Sequence, residues 1–109
     1  MKDILNTYAA EDIFAFMKKV SLNFKGNRNE FENAARAQFA RVDNIKYEGV
    51  YASSFVPGDN TMEVTFRWQR RWRVYATGAE ETAQGTAVFR LEKSGDQWLL
   101  QEVREAGPF

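Results

Sequence analysis

The sequence predicts an α+β fold: two N-terminal helices packed on a strongly curved, four-stranded antiparallel meander sheet. Three observations carry that prediction. Apolar residues recur at helical spacing up to about residue 42. From there the period changes to two. Turn residues then divide the alternating region into four runs. With 109 residues and 44% of them hydrophobic, the chain has the size of one folded unit, so 1–109 is expected to form a single domain.

Residues 3–20 read as the first helix, because Leu5, Ala9, Ile13, Phe16 and Val20 share one face. Asp3 is placed to cap it, and Tyr8, Phe14 and Met17 widen the apolar stripe enough to cover a sheet. The segment from Ser21 to Arg28 contains Gly26 and two asparagines and should stop the helix. Asn29, three residues before Glu32, resembles a capping box and starts the second helix there. Phe31, Ala34, Ala35, Phe39 and Val42 then line one face up to about residue 42.

From Asn44 onward Ile45, Tyr47, Gly49 and Tyr51 alternate with Lys46, Glu48 and Val50, as in a strand with one wetter face. Pro57, Gly58, Asp59 and Asn60 make the next turn. The run from Thr61 to Ala76 puts Met62, Val64, Phe66, Trp68, Trp72 and Val74 on one face and mostly Arg, Glu, Thr and Gln on the other. A flat strand of that length would span roughly 50 Å at about 3.3 Å per residue, while a chain of this size has a radius of gyration near ~13 Å. The strand is therefore expected to bend or bulge. Gly78 turns the chain into a third strand over 80–93, and Ser94, Gly95 and Asp96 turn it into a fourth from Gln97 to about Glu105.

Composition removes whole classes of chemistry. With no cysteine and no histidine there is no disulfide framework, no thiol nucleophile, no imidazole base and no ordinary zinc site, so neither a metal nor a cofactor is expected. Fifteen basic residues balance fifteen acidic ones, which argues against a generally basic nucleic-acid binder. No stretch approaches the roughly twenty apolar residues that cross a bilayer.

The order helix, helix, long meander resembles the nuclear transport factor 2-like (NTF2-like, SnoaL-like) superfamily. The resemblance is carried by Phe16, Met17, Val20, Ser21 and Phe24 and by the closing run Gln97-Trp98-Leu99-Leu100-Gln101-Glu102-Val103-Arg104. It is closest to small bacterial secreted or lipoprotein-type members. It implies a cystatin-like cone: a curved sheet wrapped around helices with a cavity between them. Enzymatic relatives place an Asp with a His or a Tyr inside the cone, whereas other relatives bind proteins or have no known activity. A periplasmic or extracytoplasmic location is implied, with a cytoplasmic one left open.

The strongest local anomaly is Arg67-Trp68-Gln69-Arg70-Arg71-Trp72-Arg73. Alternation sends Arg67, Arg71 and Arg73 to the wet face, where acids such as Glu63, Glu81, Glu92 and Glu102 on neighbouring strands can pair with them. Arg70 shares the face of Trp68 and Trp72, where an unpaired guanidinium is expensive to bury. A bulge would turn it outward. Otherwise, with Tyr47 and Tyr51, these residues form a pocket for a small carboxylate or aromatic anion.

No catalytic residue is assigned, and the leading reading is a non-catalytic domain that binds a small ligand or a protein. An isomerase- or hydrolase-type enzyme is the second, with Asp12 or Tyr51 carrying a proton and Arg70 steadying an oxyanion. Binding of single-stranded nucleic acid or an anion by the Arg/Trp strand is the third. The paired acids Glu80 and Glu81 read as solvated charges at a turn. A homodimer through the sheet face is expected to use Val50, Tyr75 and part of the arginine row.

Overall fold

The computed structural model describes residues 2–105 and 107–109 and contains seven elements. They are α1 (Lys2–Ala9), α2 (Ile13–Lys18), α3 (Arg28–Phe39), β1 (Val42–Pro57), β2 (Thr61–Val74), β3 (Glu80–Ser94) and β4 (Gln97–Glu105). The α+β class and the four antiparallel strands are as the sequence predicts. Two expectations are overturned: there are three helices among the described residues, and the sheet is open instead of curling into a cone.

The first helical segment breaks because local polar chemistry outcompetes its continuous apolar periodicity. Glu11 adopts a left-handed backbone (φ 57°), and the Asp12 carboxylate accepts the Ala15 N–H at 3.1 Å, capping α2. Asp3 consequently lies inside the first turn of α1, and Phe14 points to solvent instead of widening the buried stripe. In α3 the cap is Asn27, whose side chain accepts the Glu30 N–H at 3.0 Å, two residues before the expected start at Asn29.

The strands lie in the order β1-β2-β3-β4, so β1 and β4 are the two edges and do not pair with each other. The β2–β3 ladder runs without a register shift from Thr61↔Glu92 to Arg73↔Glu80. The bend expected in β2 is unnecessary because the molecule is elongated. Its longest dimension is 47 Å, and fourteen residues at about 3.3 Å each need roughly that length. Irregularity is concentrated in β1, whose register against β2 shifts three times. Residues 19–25 cover part of the β4 edge, since Leu100 donates its N–H to Lys19 and accepts from Ser21, while Lys25 donates to Gln101. Those bonds form around a parallel bridge between Val20 and Leu100.

One face of the sheet meets the helices. Val64, Phe66 and Trp68 of β2 and Ala87, Phe89 and Leu91 of β3 pack there with Ile4, Leu5, Tyr8, Phe16 and Ala35. The far half of β1 and the turn after it are bare, Tyr51 to Asn60 all being exposed, whereas Val64 and Phe66 in the paired stretch of β2 are buried. The expected dimer face loses its apolar members: Tyr75 lies in the turn after β2, off the sheet, and Val50 is half-buried against the core. The dimer reading therefore has no surface of the expected kind to rest on. No helix is long and apolar enough to cross a membrane among the described residues.

Candidate functional site

Arg70 is the organising residue. It stands in the middle of β2 with its side chain on the helix-facing side, and it is 7% exposed. No bulge turns it outward, because its pairing with Ala83 on β3 falls inside the unbroken ladder. Its guanidinium lies 4.7 Å from the Trp72 ring and 5.9 Å from the Trp68 ring, so the two tryptophans flank the cation on its own face of the strand. Nη1 donates to the Pro108 carbonyl at 2.9 Å and to Gln38 Oε1 at 3.4 Å. Among the described residues Nε has no hydrogen-bond partner, and no carboxylate forms an ion pair with Arg70.

Two tyrosines complete the polar cluster. Tyr47 of β1 lies opposite Arg70 in register and donates its hydroxyl to the same Pro108 carbonyl at 2.7 Å. Tyr8 of α1, only 1% exposed, donates to Gln38 Oε1 of α3. Burial pushes the Tyr8 hydroxyl up to about 12, against a smaller lowering by the Arg70 charge. The Tyr47 hydroxyl is raised by the same cause. Both phenols stay protonated at neutral pH and serve as hydrogen-bond donors.

Beside this polar centre is an aromatic nest occupied by Phe109. Its ring centroid lies 4.8 Å from Tyr8, 5.2 Å from Phe16, 5.7 Å from Phe89 and 5.9 Å from Phe31. A cavity of about 320 Å³ opens next to it between α1 and α3, lined by Tyr8, Phe31, Ala34, Gln38, Arg41 and Phe109 among others. The space between helices and sheet is thus filled at Arg70 by the chain's own Pro108 and open beside Phe109.

Four of the five residues expected to form a pocket gather here: Tyr47, Trp68, Arg70 and Trp72. Tyr51 does not. A register shift between Tyr47 and Gly49 inserts one extra residue into β1, which sends Tyr51 to the face of Arg67 and leaves it 72% exposed. Asp12 is an exposed helix cap, away from the cluster. Two of the three outward arginines are paired with acids, though other than those expected: Arg71 with Glu48 at 2.9 Å and Glu80 at 2.8 Å, and Arg73 with Asp43; Arg67 forms no ion pair among the described residues. Sequence reasoning missed Tyr8 as a polar group, and missed Gln38, Pro108 and Phe109 altogether. The one available signal was Pro-Phe, an apolar pair directly after Gly107. No group of three or more Asp or Glu side chains suited to hold a metal occurs among the described residues.

No family model and no curated protein matches the chain. Solved structures do. A nuclear transport factor 2 (NTF2-like) superfamily protein from Salmonella enterica serovar Typhimurium superimposes with a TM-score of 0.83 at 10% identity, over 99% of this chain and 85% of its own. A conserved protein from Planctomyces limnophilus gives 0.80 at 15% identity, over 94% and 85%. A ketosteroid isomerase-like protein from Erwinia carotovora atroseptica gives 0.73 at 18% identity, over 93% and 85%. These likenesses establish the NTF2-like fold. They lend no support to the secreted, lipoprotein or periplasmic character implied by the sequence resemblance.

Proposed function

We propose that the chain is a non-catalytic binding domain whose helix-covered cluster around Arg70 takes a small organic carboxylate. The observation that carries this reading is the state of Arg70: a buried guanidinium with no carboxylate among its described partners, its Nη1 held by the neutral Pro108 carbonyl. Desolvating a charge costs several kcal/mol, and stacking on Trp72 offsets about 2 kcal/mol of it. A ligand carboxylate in place of the Pro108 carbonyl would accept from Nη1 and Nη2 together, one of the two paired edges on which a guanidinium binds a carboxylate best. The protonated Tyr8 and Tyr47 hydroxyls add neutral donors close by.

An enzyme of isomerase or hydrolase type is the second reading, favoured by the fold shared with a ketosteroid isomerase-like protein. It ranks behind because the proton carriers it would use are elsewhere: Asp12 caps α2, and Tyr51 faces solvent. The nucleic-acid reading ranks third, since Arg71 and Arg73 are engaged by acids on the face opposite the tryptophans.

Calorimetric titration of the full chain with 3-phenylpropanoate and with 3-phenylpropanol tests the first reading. The acid should bind at least about tenfold more tightly than the alcohol, and Arg70→Gln should erase the difference. Equal binding of acid and alcohol to the unmodified chain, or no binding of either, overturns it.

A further inference from the structure

We infer that Gly107–Phe109 is an exchangeable occupant of the Arg70 site, and that the molecule it gives way to is an arylalkanoate whose carboxyl carbon stands about four bonds from its ring. The inference rests on the carboxylate reading above and adds the occupant and the shape of the ligand.

The segment is held as a ligand is held. A single acceptor, the Pro108 carbonyl, takes hydrogen bonds from both Arg70 and Tyr47, and Phe109 inserts its ring among four others. It belongs to no strand or helix, and a glycine at 107 lets the backbone pass Val103 closely, since a Cβ there would meet Cγ1 at 3.0 Å. Yet the fit is chemically incomplete. An amide oxygen brings no negative charge to a buried cation and accepts from Nη1 where a carboxylate would take two guanidinium donors. Phe109 is also only half-buried and borders the open cavity, so an incoming ring has a route beside it. From the Pro108 carbonyl carbon through the Phe109 nitrogen, Cα and Cβ to the ring is the connectivity of 4-phenylbutanoate, with a carboxylate where the peptide carbonyl lies.

An internal occupant lowers the apparent affinity of a ligand by the fraction of time it holds the site. In the full chain, Phe109→Ala should therefore bind 4-phenylbutanoate at least about tenfold more tightly than the unmodified protein, by calorimetry. Equal or weaker binding by the variant overturns the exchange while leaving the carboxylate site standing, whereas no binding by either chain overturns both. Because the variant removes buried ring contacts and could fail to fold, a second measurement uses 4-fluorophenylalanine at position 109. Saturating 4-phenylbutanoate should move its fluorine resonance to the position of a solvent-exposed ring. A ligand that binds without shifting that resonance overturns the inference.

Discussion

The β1–β2 hairpin has two halves built on one alternating pattern, and they come to opposite ends. The covered half is β2 with the near end of β1: Val64, Phe66, Trp68 and Arg70 are all buried, and Tyr47 reaches into the same space. The bare half is the far end of β1, which carries Tyr51, Phe55 and Val56 with more than half of each side chain in water although Phe55 pairs in register with the buried Val64. The residues at the tip are no less apolar. What differs is cover: α1, α2, α3 and Gly107–Phe109 overlie only one half. Alternation assigns a side chain to a face, and packing decides whether that face has a partner.

The comparison can be tested by substitution. Phe66 has no exposed surface and meets Phe89 edge-on at 4.7 Å, so Phe66→Ala should lower the unfolding free energy by about 3–5 kcal/mol. Urea denaturation measures it, and a loss under about 1 kcal/mol would mean that the covered half is not the stabilising one.

The covered half should also mark itself in alkali. Tyr8 and Tyr47 hold their protons more tightly in the folded chain than in the unfolded one. Between pH 10, where unfolded tyrosines ionise, and pH 12, where Tyr8 follows in the folded state, the unfolded chain carries fewer protons and gains ground. Stability contributed by each phenol is complete below pH 10 and should fall by about 1.4 kcal/mol per pH unit through that window. Urea midpoints at pH 9 and 11 check the slope, and a flat profile would place the phenols in water. The smallest effect belongs to the bare half: Phe55→Ala should change stability by no more than about 0.5 kcal/mol in the same titration.

Much of this architecture was legible because strands and turns are written locally. Pro57-Gly58-Asp59-Asn60, Gly78 and Ser94-Gly95-Asp96 mark the strand ends to within a residue or two, and Gly78 and Gly95 do take the left-handed backbone that favours glycine. The break at Glu11 and Asp12 was hidden, since Leu5, Ala9, Ile13 and Phe16 keep helical phase across it. In the site, Trp68, Arg70 and Trp72 could be read as one face because they sit on the unbroken side of β2. Tyr51 was misplaced by a single inserted residue in β1 that no local signal announces. Gln38, Pro108 and Phe109 come together with Arg70 only through tertiary packing. Openness of the sheet also lay beyond local reading, because strand length alone does not say whether the edges meet.

The parallel bridge at the β4 edge has a kinetic consequence. Val20 and Leu100 stand eighty positions apart in the chain, and the main-chain bonds around them tie the end of the helical region to the last strand. Closing so long a loop has an entropic cost that can be recovered only once the intervening strands have assembled. The hairpins, with their short turns, can form early and independently. The junction of residues 19–25 with Leu100 and Gln101 should then be among the last contacts made during folding, and the amides of Ser21 and Lys25 should gain protection from solvent exchange later than those of β2 and β3.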